Sequence, residues 1–461
     1  MFIQQLYTGC LSEAAYYIED NGEAAIIDPL RDIQVYLDLA KERNAVIKYI
    51  FETHFHADFV SGHLELARQT GAPIIYGPLT ETDYEIQVAQ DGQEFMIGGL
   101  KIKVLHTPGH TIESSCYLLH DEKGDPYAIF TGDTLFVGDV GRPDLSSGDM
   151  SSDELAAMLF HSLETKIKPL ADHIIVYPAH GPGSSCGKNI GPNSYSTIGE
   201  EKKLNYALAA STKDEFIKAV TDGLDHPPSY FTINARINKE GYTALDEILK
   251  KGLRPVTAEE LLRWNKEKKE FIILDTRSKE EFTEGFIPDS IFIGLEGRFA
   301  EWAGTLLPYK TEILLVTDPG KEEESLVRLA RVGFENMTGY LEGGFQAWKN
   351  SGGNIDLVIN VEPDELALDM PYDDHLLVVD VRKPSEFEGG HVKDAFNLPL
   401  ETMKDPVSMA TLEENDNLYV HCGGGYRSVI AASLLKRQGF HNLKNIQGGM
   451  DKLQELKFIM C

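Results

Sequence analysis

The stretch Ile272-Ile-Leu-Asp-Thr-Arg-Ser-Lys-Glu-Glu-Phe282 returns 105 positions later as Leu377-Val-Val-Asp-Val-Arg-Lys-Pro-Ser-Glu-Phe387. Asp275 falls on Asp380, Arg277 on Arg382 and Phe282 on Phe387, and the same offset lays Gly343-Gly344 on Gly448-Gly449. A chain written this way has to fold its second half as two copies of one unit. Each copy alternates β-rich and helical runs, which predicts a parallel sheet covered by helices. Ser351-Gly-Gly-Asn354 reads as the linker between the copies, and another boundary falls near 252–255. At roughly 100–200 residues per domain, 461 residues then make about three domains.

The first 200 residues follow another pattern, short β-rich runs separated by loops. Strands are expected at 24–28, 47–52, 101–105, 115–119, 128–131 and 173–177, with amphipathic helices at 33–42 and 152–163. From 197 to 250 the chain turns mostly helical, broken at His226-Pro227-Pro228, and reads as a tail packed on the first domain. The formal net charge of −30 repels phosphate backbones and anionic membranes, so nucleic acid is not an expected partner. The first twenty residues lack a basic region followed by an apolar core, and no window approaches 18 apolar residues; neither a signal peptide nor a membrane span is expected. Five scattered cysteines, Cys10, Cys116, Cys186, Cys422 and Cys461, argue against a disulfide framework and for a reducing, cytoplasmic setting. Cys10 and Cys116 lie in or beside apolar runs and read as packing residues, and Cys461 as incidental.

The chemistry of the first domain starts at Thr53-His54-Phe55-His56-Ala57-Asp58-Phe59, directly after the apolar run Val46–Phe51, with His63 beyond it. His110 in Thr107-Pro-Gly-His110, Asp133 in Phe130-Thr-Gly-Asp133 and His180 in Tyr177-Pro-Ala-His180 each follow another predicted strand. Four strand ends thus deliver imidazoles and carboxylates, and open sheets place ligand sites at strand ends. A single such histidine is more often a cap or a surface residue; four together point to a metal.

This set resembles the metallo-β-lactamase superfamily over about residues 1–200. Hydrolases of that superfamily commonly hold two zinc ions, and their motif runs His-x-His-x-Asp-His. Phe59 stands where the last histidine, a ligand of the second metal, would be. Within the superfamily the chain looks most like the persulfide dioxygenases, on the histidine motif, Thr131-Gly-Asp-Thr-Leu-Phe136 and Gly141-Arg-Pro-Asp144. The resemblance implies an αββα sandwich and one iron(II) per chain, held by His54, His110 and Asp133. Two histidines and a carboxylate on one face suit non-haem iron oxygenases, which keep positions open for substrate and dioxygen. His56, Asp58 and His180 would then orient the ligands and tune the metal. The implied reaction takes a persulfide and dioxygen to sulfite and a thiol. Cys186, six positions after His180, is read either as a persulfide-carrying thiol near the iron, aided by Lys188, or as a loop cysteine without a role; the first reading is taken forward.

In the second repeat, the strand 418–420 leads into His421-Cys422-Gly-Gly-Gly-Tyr426-Arg427-Ser428 and then a helix over 429–438. Backbone N–H groups point into a glycine-rich loop at a helix start, and the dipole adds positive potential, a setting for an anionic sulfur. Arg427 is placed to hold an oxygen of sulfite or thiosulfate by paired hydrogen bonds. The module resembles rhodanese sulfurtransferases over about 358–461, which implies that Cys422 carries a sulfane sulfur. Counting back 104 positions gives Asp318 in the first copy, a residue that cannot do so, and Glu322–Glu324 beside it would repel anions. Residues 256–352 are therefore read as an inactive rhodanese homologue, a spacer or docking surface. The expected architecture is a metallo-β-lactamase fold over 1–252, then two rhodanese-like α/β domains with parallel sheets over 256–352 and 358–461. In the expected pathway the first site makes sulfite, and the last joins sulfite to sulfane sulfur as thiosulfate or runs the reverse, aided by tethering. The partners are a small-molecule persulfide, dioxygen and sulfite or thiosulfate; related fusion enzymes imply self-association as a homo-oligomer. Two alternatives remain, a glyoxalase II-like zinc thioester hydrolase, against which Phe59 argues, and a sulfur carrier or sensor without turnover.

Overall fold

The structure is a computed structural model that describes residues 1–145 and 150–456. Cys461 and the end of the 358–461 module lie outside the described residues. The chain divides into two compact units, Met1–Leu245 with Ala330–Gly333, and Asp246–Leu329 with Phe334 onward. Among the described residues no helix is long and apolar enough to cross a membrane.

In the first unit two six-stranded sheets face each other. The strand Glu13–Asp20 is buried at every position, so it shows no polar alternation and was not among the strands named from the sequence. Its Ala14, Tyr16 and Ile18 pack between the sheets with Phe51, Val104, Tyr117 and Phe130. Its Ala15 and Tyr17 pack outward with Ile33, Tyr36, Ala40 and Leu66, under the helices Gln34–Glu42 and His63–Thr70. The outer face of the other sheet is covered by Ala156, Leu159 and Leu163 and by Phe216 and Val220 of the tail. Both faces of both sheets are thus apolar, and the result is the expected four-layer αββα sandwich. The helix Ser152–Ser162 begins at a capping box in which Ser151 and Glu154 satisfy each other's backbone N–H. The six expected strands are all present, within two residues at either end.

In the second unit each repeat forms a five-stranded parallel sheet, and by position within its copy the strand order is 1-5-4-2-3 in both. The repeated Asp-x-Arg is a structural device. Arg277 reaches Asp275 at 2.6 Å and Gly285 O at 2.9 Å, while Arg382 reaches Asp380 at 2.7 Å and Gly390 O at 2.8 Å. Asp275 pairs in register with Val316, and Asp380 with His421. The structural counterpart of Cys422 is therefore Thr317, one position before the Asp318 obtained by counting back. The 105-residue offset holds through the strand and again at Gly343-Gly344, and between them the helix starts at Glu322, six positions after its strand, against five in the second copy.

Candidate metal centre and cysteine loop

Five buried side chains converge where four strands end. His54 follows Val46–Phe51, His110 follows Leu100–His106, Asp133 follows Pro126–Gly132 and His180 follows Ile175–Pro178; Asp58 is the fifth. Asp133 is turned inward by Gly132, which sits at φ +52° and so close to Thr53 that a Cβ would come within 2.5 Å of its Oγ1. One ligand atom from each of His54, His110 and Asp133 lies within 4.8 Å of the other two.

The ring nitrogens that face the centre follow from their partners. The Thr53 hydroxyl donates to Asp28 Oδ2 at 2.8 Å, so it accepts from His54 Nδ1 at 2.9 Å. His110 Nδ1 lies 2.9 Å from Arg142 O, which can only accept. Both rings therefore turn bare Nε2 lone pairs toward Asp133 Oδ2, at 3.7 Å and 3.4 Å. Among the described residues neither Asp133 oxygen has a hydrogen-bond partner. Burial, followed by the neighbouring His56, His110 and His180, holds His54 well below the usual imidazole range, in its neutral ligating form. Lone pairs facing a buried carboxylate repel it unless a cation lies between them. The donor set thus fits a divalent transition metal, with the backbone carbonyl and hydroxyl partners that metal-binding histidines usually have.

His56 stands at the edge of the centre, with a ring nitrogen within 4.8 Å of donor atoms of Asp58 and His180, and it meets carboxylates of its own. Its Nε2 is 3.0 Å from Asp28 Oδ1 and 3.5 Å from Glu52 Oε2, and its ring stacks on Phe59 at 4.3 Å. Burial opposes charge on His56, but Asp28, then Glu52 and Asp58, outweigh it and raise its pKa to about 9. Asp28 and Glu52 were not singled out from the sequence. The available signal was an acidic residue directly after an apolar strand, in Ile27-Asp28 and Phe51-Glu52. His63 belongs to this outer group, 3.3 Å from Glu52 and stacked on Tyr84 at 5.2 Å.

A second set of donors adjoins the first. His180 Nδ1 faces Ser12 O at 3.3 Å, leaving Nε2 bare at 3.6 Å from Asp58 and 3.5 Å from Asp133. Cys186, 1% exposed, brings Sγ within 4.8 Å of ligand atoms of Asp133 and His180. Burial, then Asp58 and Asp133, push its thiol well above the usual range. Lys188 does not assist it: the ammonium binds Asp222 O at 2.6 Å and Ala219 O at 3.3 Å. Cys116 is buried in a strand as expected, with burial raising its thiol to about 11, whereas Cys10 sits half-buried in a turn.

Gly141-Arg-Pro-Asp144 is the buttress of the centre. Arg142 offers its carbonyl to His110, takes Cys186 O with its N–H at 2.9 Å, and grips Asp144 at 2.8 Å. A Cβ on Gly141 would lie 2.0 Å from Asp133 O and 2.9 Å from His110 Nδ1. Gly141→Ala is expected to weaken metal binding about 10–100-fold, as loss of a ligand's outer support does. Metal titration of the folded protein measures it; unchanged affinity would show that the buttress is not needed.

The cysteine loop lies between the strand Asn417–His421 and the helix Tyr426–Arg437, which begins three residues earlier than expected. Gly425 N donates to Cys422 Sγ at 3.1 Å, and Ser428 Oγ lies 3.7 Å away. Gly449 must be glycine, since a Cβ would fall 2.3 Å from Cys422 O. The guanidinium fork of Arg427, expected to hold a substrate oxyanion, is already taken by Glu386 through bonds of 2.6 and 2.7 Å. Those bonds hold the Glu386 carboxyl below the usual range.

Residues 8–180 match the family description Metallo-beta-lactamase superfamily, and residues 257–351 and 362–456 each match Rhodanese-like domain. The chain is 29% identical over 208 residues to a hydroxyacylglutathione hydrolase, GloC, of Haemophilus influenzae, covering 41% of this chain and 88% of that one. It is 31% identical to the mitochondrial persulfide dioxygenase ETHE1 of Bos taurus, covering 45% of this chain and 74% of that one. A crystal structure of a metallo-beta-lactamase from Staphylococcus aureus subsp. aureus COL superposes with a TM-score of 0.66 at 34% identity, over 74% of this chain and 98% of that one.

Proposed function

The chain belongs to the metallo-beta-lactamase superfamily and carries two rhodanese-like domains behind that fold, and on this premise we propose that it is an iron(II)-dependent persulfide dioxygenase coupled to sulfur transfer. Residues 1–252 oxidise a persulfide with dioxygen to sulfite and thiol, and 358–461 move sulfane sulfur through Cys422. Residues 256–352 have no cysteine of their own for that step. The observation that supports this reading is the asymmetry of the centre. His54, His110 and Asp133 face one point, while Phe59 stacks on His56 where the hydrolase motif has a ligand. One iron(II) bound there supplies the redox chemistry that lets dioxygen react with a sulfur anion. The chain's own residues hold the reactants in place, which is worth ~7–11 kcal/mol of a barrier. Cys186 stands beside Asp133 and His180, placed to keep a sulfane sulfur next to the centre.

A second reading has a specific observation behind it. Asp133, His180 and Cys186 form one further donor set, and His56, Asp58 and His180 another, that could hold a second ion, as in a zinc thioester hydrolase, and the similarity to GloC fits that chemistry. Oxygen-electrode traces with a panel of persulfides, with sulfite and metal content measured on the same anaerobically purified sample, separate the two. The expected result is one iron per chain and one sulfite, free or captured as thiosulfate, per dioxygen consumed. Two zinc ions per chain, thioester hydrolysis and a flat oxygen trace would replace this reading with the hydrolase.

A further inference from the structure

The rhodanese-like copy without a cysteine packs directly on the loop of the copy that has one. Tyr426, four residues after Cys422, donates its hydroxyl to Gly294 O at 2.7 Å and lies edge-on to Phe292 with ring centroids 6.1 Å apart. Phe292 N in turn donates to Ser433 Oγ at 3.0 Å, on the helix behind the loop. Between the copies lies a cavity of about 120 Å³. Lys279, Glu280 and Thr283 of the first copy line one side, and Gly425, Asn445 and Gly448 of the second line the other.

Three features of this cavity indicate its occupant. Lys279 Nζ comes within 3.8 Å of where a Cβ of Gly425 would stand, and Gly425 is the residue whose N–H holds Cys422 Sγ. Among the described residues the ammonium is committed only to a loose pair with Glu280 at 3.8 Å. Asn445, 4% exposed, gives its amide N–H to Asn360 at 2.8 Å, and among the described residues its buried Oδ1 has no partner. A cation, an anion and an unanswered acceptor around one small space complement a group that carries a carboxylate and an ammonium together. The space is enough for the charged head of an amino acid.

We infer that the cysteine-less copy supplies half of an acceptor site for the copy that bears Cys422, and that the site takes an amino-acid thiol. Its carboxylate is held by Lys279, and its ammonium by Glu280 and Asn445. The inference rests on the sulfurtransferase reading of Cys422. In the transfer the acceptor thiolate attacks the outer sulfur of Cys422–S–SH, and the inner S–S bond breaks. Cys422 leaves as thiolate with the bonding pair, and the acceptor becomes R–S–SH. No external oxidant or reductant is consumed.

The test uses the full chain with thiosulfate as sulfur donor and three acceptors, L-cysteine, 3-mercaptopropionate and cysteamine. Lys279→Gln is expected to raise KM about tenfold for the two carboxylate-bearing thiols and less than twofold for cysteamine, with kcat unchanged. Glu280→Gln should raise KM for L-cysteine and cysteamine and spare 3-mercaptopropionate, while Lys279→Arg should restore the carboxylate preference. Equal effects on all three acceptors, or none, overturn the inference. Calorimetric titration with S-methyl-L-cysteine keeps the question separate from turnover. Binding that Lys279→Gln weakens about tenfold supports the site even if no acceptor is used, and no binding to the wild-type chain overturns it.

Discussion

His110→Ala empties the metal centre and abolishes oxygen uptake together. The imidazole is one of the two that present bare Nε2 atoms to Asp133 Oδ2, and Arg142 O fixes its tautomer. Alanine removes the donor and leaves the carboxylate facing a cavity. The loss of affinity should exceed about 100-fold, the upper end of what losing only an outer partner costs a metal site. Iron content, stability and oxygen uptake report it jointly. In the wild type, saturating metal at about 100 times Kd should stabilise the folded chain by about 2.7 kcal/mol, and in His110→Ala this increment should vanish. A variant that keeps its iron and its dioxygen consumption would remove His110 from the ligand set.

Cys422→Ser should bring sulfur transfer to background while oxygen uptake with a persulfide continues at the wild-type rate. Serine fits the loop, since Gly425 N and Ser428 Oγ can bond an oxygen as they do the sulfur, so the fold is not the variable. A hydroxyl cannot carry sulfane sulfur, so the effect is a loss rather than a fraction. Sulfite should then accumulate one for one with the dioxygen consumed, where the wild type yields thiosulfate. Continued thiosulfate formation would shift the transfer to another thiol, and Cys186 beside the metal centre would be the one to replace next.

Much of both sites could be read along the chain. The metal centre is written at strand ends, and a short motif after an apolar run says where in a sheet its residue will stand. The loop around Cys422 is equally local, because three glycines and a helix start are its whole backbone design. The strand Glu13–Asp20 was harder to name, since burial on both faces erases the alternation that marks a half-exposed strand. Partners distant in the chain were not legible at all. Asp28 and Glu52 surround His56, and Glu386 occupies the fork of Arg427, which from its motif alone looks available for substrate.

The sequence by itself determined two copies of one parallel-sheet unit, the residues at the strand ends and which copy has a cysteine in its loop, and through its family resemblance it implied the four-layer sandwich. Hydrophobic period, glycine placement and repeat spacing are properties of neighbours along the chain. Tertiary structure alone decided which imidazole nitrogens are bare, that Thr317 rather than Asp318 stands opposite Cys422, and that Lys279 reaches over the neighbouring copy's loop. A lone pair's direction, a strand's register and a charge's counterpart are set by groups far apart in sequence, and only folding brings them within a few ångströms.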